Sequence, residues 1–114
     1  MIAVIFELHP RPDCAGAYFD LAAALRQELE GIEGFISVER FRSVADPGKL
    51  LSLSFFRDEA AVRAWRAQSA HRAAQAVGRR DIFADYRLRI AEVTRDYGLR
   101  DRCEAPEDSR RTHG

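Results

Sequence analysis

Two side chains in the run AWRAQSAH have the types and spacing to do chemistry: Trp65, the only tryptophan, and His71, six residues later. An indole is a broad apolar plate that suits a flat hydrophobic ligand. An imidazole with an ordinary pKa of about 6.5 takes or relays a proton near neutral pH. Each also has a plainer use, the ring as core filling and the histidine as a surface or hydrogen-bonded structural group. Six residues of ideal helix separate the two by about 9 Å along the axis and about 120° around it. They converge on one pocket only if the helix breaks between them, near Gln68-Ser69. His71 is thus the candidate general base and Trp65 a candidate substrate wall. Arg40, Ser54, Phe83 and Tyr86 are further candidate substrate contacts, and Ser52 shares the strand of Ser54. No Ser-His-Asp spacing supports a nucleophile. For Arg40 and Glu39 the plainer expectation is a cross-strand ion pair with Arg87 or Arg89.

The elements that must hold these residues read as β-α-β-β-α-β. Residues 1–9 alternate as a strand that is apolar on both faces, and Pro10 and Pro12 end it. Asp13 is the expected cap of a helix to about Glu30, with Tyr18, Leu21, Ala22, Leu25 and Leu29 on one stripe. Gly31 and Gly34 bracket its end. Phe35 to Val44 and Leu50 to Phe56 form a hairpin through Asp46-Pro47-Gly48. In the first of these strands Phe35, Ser37, Glu39 and Phe41 are expected to oppose Ile36, Val38, Arg40 and Arg42. Asp58 caps the second helix, whose apolar side is Ala61, Val62, Trp65 and Ser69; Gly78 is its expected end. Asp85 to Tyr97 is the fourth strand, with Tyr86, Leu88 and Ile90 on one face and Arg87, Arg89 and Ala91 on the other.

At 114 residues this is one α+β domain, with residues 1–98 as its body and 99–114 as a polar tail expected to be an extended arm or disordered. Lys plus Arg and Asp plus Glu each number 18, so nothing points to nucleic acid or an anionic membrane as partner. No apolar run is long enough for a membrane helix, and no signal peptide opens the chain, so a cytoplasmic location is expected. Cys14 and Cys103 stand apart, and with His9, His71 and His113 they form no metal-ligand spacing. No metal site is expected, and the cysteines read as free thiols.

Two helices cover one face of a four-stranded antiparallel sheet. The other face here keeps apolar residues, and the chain has no further element to cover them. A second copy of the sheet is the expected cover, giving a homodimer.

The element order, the strands GFISVERF and LLSLSFF, the AWRAQSAH helix and the final DYRLRIAEV strand together resemble the antibiotic biosynthesis monooxygenase family, over residues 1–97. The resemblance implies a ferredoxin-like fold whose sheets pack face to face as a dimeric α/β barrel. It implies a pocket between each sheet and its own helices. Members oxidise polyketide anthrones or quinols with O₂ and neither metal nor flavin, so no cofactor is expected; other members degrade haem. The haem-degrading branch pairs a helical Trp with a more distant His and a first-strand Asn. This chain has no Asn at all, which argues against haem ligation by His71. The expected function is a cofactor-independent monooxygenase acting on a small aromatic or quinol-like compound. The alternative is a non-catalytic module that binds a hydrophobic small molecule or haem.

Overall fold

A computed structural model describes residues 1–68 and 81–114. The elements are β1 (Ile2–Pro10), α1 (Ala15–Glu30), β2 (Phe35–Arg42), β3 (Leu50–Phe56), α2 (Glu59–Ala67), β4 (Phe83–Glu92) and a C-terminal helix α3 (Glu107–His113). The strands form one antiparallel sheet in the order β2-β3-β1-β4. The first six elements make the expected ferredoxin-like β-α-β-β-α-β fold. His71 and the Gly78 helix stop lie outside the described residues.

Both helices of the body pack on one face of the sheet, for a reason legible in the periods. The even-numbered residues of β1 share a face, and Ile2 and Leu8 are buried there beneath α1 and α2. The apolar stripe of α1 docks through buried Tyr18, Ala22 and Leu29, with Leu21 and Leu25 half-buried beside them. α2 docks through Ala61, Val62 and Trp65. The result is two hydrophobic clusters. One joins Ile2, Leu29, Ile32, Val38, Phe56, Ala61, Val62 and Trp65; the other joins Leu8, Tyr18, Ala22, Leu50 and Ile82.

Local signals were followed in some places and overridden in others. Asp58 does cap α2, its Oδ1 accepting from the Ala61 N–H at 2.9 Å. Asp13 does not cap α1. It adopts φ 66°, the left-handed region that Asp tolerates better than most residues, and Cys14 takes the cap position without a side-chain hydrogen bond to the helix. The Asp46-Pro47-Gly48 turn closes as expected: Asp46 accepts from the Gly48 N–H at 3.2 Å, and the Lys49 N–H donates to the Asp46 carbonyl at 2.9 Å. A register shift between Phe35 and Ser37 moves Phe35 onto the helix-facing side, where it packs with Phe56, and leaves Ile36 exposed. Strict alternation places Phe35 on the opposite face, so the bulge corrects that expectation.

The tail is neither extended nor without a core. Arg102 gathers it, donating to the Gly114 carbonyl at 2.8 Å, the Gly98 carbonyl at 3.1 Å and Ser109 Oγ at 2.6 Å, with its guanidinium over the Tyr97 ring. Ala105 is buried, its N–H donating to the Arg102 carbonyl at 3.2 Å. One arginine fork supplies the cohesion that the tail's few apolar residues do not.

The Asp58 cap has a pH signature. The Ala61 amide, and next the Arg57 side chain, hold its carboxyl below the ordinary 3.8. A carboxyl depressed in the folded state contributes stability above its unfolded pKa and loses it as pH falls through the folded value. Asp58→Ala is therefore expected to melt below the wild type at pH 7, with the gap closing below about pH 3.8 in thermal melts across that range.

Candidate active site

The strand registers align the helix-facing side chains in rows across β2, β3, β1 and β4. One middle row is Val38, Ser54, Val4 and Ile90. The next is Arg40, Ser52, Phe6 and Leu88. The outer rows are Phe35, Phe56, Ile2 and Glu92 at one end, and Arg42, Leu50, Leu8 and Tyr86 at the other. The apolar clusters occupy the ends. Between them the surface is mixed, with Arg40, Ser52 and Ser54 set among apolar side chains.

Ser54 is buried, while Arg40 and Ser52 are half-buried. The Nε of Arg40 is sealed from solvent and has no hydrogen-bond partner. The expected ion pairing does not form. Arg89 reaches Glu7 instead, at 3.4 Å on the opposite face, where Lys49 also meets Glu7 at 3.3 Å. Glu39 shares that opposite face, so the Arg40 side chain points away from it. A second orphan, Gln68 Oε1, lies just past the end of α2. A buried polar group without a partner in the protein costs stability unless something else meets it.

Aromatic rings finish one side of the middle rows. Phe6 meets Phe83 at 5.4 Å and Tyr86 at 5.7 Å between centroids, both edge-on, and Phe83 meets Tyr86 at 5.8 Å. Tyr18 closes the group against Phe83 at 6.1 Å. β4 carries this wall toward the edge of the sheet, where Tyr86, Leu88 and Ile90 stay 41%, 45% and 42% exposed on the helix-facing side.

Of the residues singled out from sequence, Arg40 and Ser54 lie in the mixed centre, and Phe83 and Tyr86 form the aromatic wall. Trp65 is 9% exposed and packs in the other apolar cluster, with Ile2, Phe56, Ala61 and Val62. α2 ends at Ala67, and Gln68 is extended at φ −68° and ψ 139°, so the helix breaks between Trp65 and position 71 as their convergence requires. Phe6, Leu88 and Gln68 were not among the candidates. The alternation of β4 identified the face of Leu88; only the register with β1 and β2 brings it into line with Arg40.

An open depression of about 360 Å³ lies on the same face beside the start of α2, lined by Arg57, Asp58, Glu59, Ile2 and Glu92 together with Ile90 of the middle row. Arg57 there meets Asp58 at 3.2 Å and, outside the depression, Glu33 at 3.7 Å. None of the residues singled out from sequence lines it. Among the described residues no cluster of His, Cys, Asp and Glu has metal-binding geometry.

The model of the antibiotic biosynthesis monooxygenase family matches residues 1–77. The chain belongs to that family. A jasmonate monooxygenase of Pyricularia oryzae is 46% identical over 94 residues, covering 82% of this chain and 44% of that protein. The chain thus spans less than half the length of this curated relative. Among solved structures, a Mycobacterium tuberculosis protein superposes with a TM-score of 0.74 at 21% identity, covering 85% of this chain and 98% of that one. A crystal structure described as an antibiotic biosynthesis monooxygenase gives 0.70 at 16% identity, covering 82% and 99%. These likenesses establish the shared fold of the antibiotic biosynthesis monooxygenases. Among the described residues no helix is long and apolar enough to cross a membrane.

Proposed function

We propose that this chain is a monooxygenase that oxidises a small hydrophobic compound on the helix-facing side of its sheet. The mixed centre between two apolar clusters, with a buried Arg40 donor left unpartnered, carries the reading. Family membership and the jasmonate monooxygenase relative support the reaction class. The substrate is an aromatic or quinol-like ring, laid against Phe6, Phe83 and Tyr86. The reaction needs no reductant besides the substrate. A base removes a proton from an activated CH₂, the carbanion passes an electron to O₂, and the two radicals combine to a peroxide. The peroxide loses water to leave a carbonyl, so CH₂ plus O₂ gives C=O plus H₂O. The protein supplies orientation, a dry surface and the base, for which His71 is the candidate.

O₂ uptake with an anthrone, a hydroquinone and jasmonate tests this. Uptake with product formation is the expected result. Tight binding with no uptake from any of the three favours the non-catalytic binding module, and a Soret band on adding haem would name haem as its ligand.

The proposal includes a homodimer. On the face opposite the helices, Ile5, Leu51, Leu53 and Phe55 form a half-buried apolar strip that neither α1 nor α2 covers, rimmed by Glu7, Lys49, Arg87 and Arg89. A second sheet covers such a strip while its rim charges stay wet. Sedimentation at micromolar concentration is expected to give twice 12.9 kDa. A monomer there removes the sheet-to-sheet assembly.

A further inference from the structure

We propose that Arg40 binds an anionic oxygen group of the ligand, so that the compound this site takes is an amphipathic carboxylate rather than a neutral ring. This rests on the reading of the helix-facing site given above and adds the charge its ligand must carry.

Arg40 is a permanent cation with five donors in a planar fork. It is half-buried, its Nε is sealed from solvent, and its side chain makes no hydrogen bond or ion pair among the described residues. Partial burial of a charge without a partner costs stability, and proteins ordinarily relieve that cost with a carboxylate. No carboxylate among the described residues pairs with Arg40. Of the residues in its four rows, only Glu92 is acidic. It lies three strands across and two rows along from Arg40. The acids that could have answered, Glu39 and Glu7, are on the opposite face, and Glu7 is taken by Lys49 and Arg89. Arg42, the second cation of this side, donates to the Pro47 carbonyl at 2.6 Å. Arg40 alone keeps its full donor set, beside the Ser52 hydroxyl.

The same row sets the rest of the ligand. From Arg40 it crosses Ser52 and Phe6 to Leu88, three strand spacings of about 4.8 Å each, or roughly 14 Å between the end Cα atoms. Beyond the cation and the hydroxyl, the surface is apolar through Phe6, Leu88 and Ile90. A charged head with an apolar body of about 10 Å matches that gradient, the carboxylate accepting from the guanidinium and Ser52.

The test measures binding, which needs no turnover. Anthracene-2-carboxylate and its neutral carboxamide are titrated by calorimetry against wild type, Arg40→Met and Arg40→Lys, with thermal melts alongside. Wild type is expected to bind the carboxylate about 10- to 100-fold more tightly than the amide. Arg40→Met is expected to lose that preference while keeping its affinity for the amide, and Arg40→Lys to restore part of it. Arg40→Met is also expected to melt no lower than wild type, since it removes an unpartnered buried donor. Equal binding of the two ligands by wild type overturns the proposal. So does a preference that survives in Arg40→Met, or failure of both ligands to bind. If the charge preference behaves as expected but no compound supports O₂ uptake, only the monooxygenase reading fails.

Discussion

Phe56→Ala is expected to cost about 3–5 kcal/mol, a large part of the roughly 5–15 kcal/mol that holds a domain of this size together. Phe56 has no exposed surface. It sits on the central strand β3, opposite Ile2 on one side and Phe35 on the other, with the Phe35 ring edge-on at 5.8 Å. Ala61, Val62 and Trp65 of α2 press on the same cluster. The neighbours come from two other strands and two helices, so none can move into the space without opening another contact. In urea the variant's midpoint should fall sharply with little change in slope. A loss under about 1 kcal/mol would mean that the cluster collapses readily around the missing ring.

His71→Ala is expected to lower turnover by about 10²- to 10⁴-fold while leaving the melting temperature nearly unchanged. Its motive is the pairing with Trp65 together with the helix break after Ala67, which removes the obstacle that an unbroken helix would pose. Among the residues described at the site, Arg40, Ser52, Ser54, Phe83 and Tyr86, none is an ordinary base at neutral pH. The proton of the proposed first step must then go elsewhere. Steady-state kinetics on a compound that supports O₂ uptake decides it. Unchanged kcat in the variant would strike His71 from the mechanism.

Local signals in the chain predicted what local physics decides. The stripe from Tyr18 to Leu29 and the Asp58 cap depend on neighbours within a turn or two, and both stand as expected. The facing of Phe35 depends on how β2 meets β3, and a bulge changed it. The opposite facing of Arg40 and Glu39 follows from alternation, whereas the pairing of Glu7 with Arg89, 82 residues away, is announced by no pattern along the chain. The tail's apolar content does not foretell its order, because Arg102 supplies the cohesion by reaching a carbonyl 12 positions away.

The strand order also separates the segments most prone to aggregate from the places where aggregation begins. IAVIFEL on β1 and LLSLSFF on β3 combine high β-propensity with little charge, the makings of a fibril-forming stretch. Both are central, and their backbone groups are already paired on each side. The outer strands are the poorer templates: β2 carries a bulge and Glu39, Arg40 and Arg42, while β4 carries Arg87 and Arg89. A foreign strand arriving at either rim meets charge and irregular backbone. For this chain the hazard of fibre growth belongs to the unfolded or nascent state, before β2 and β4 have closed over the sticky pair.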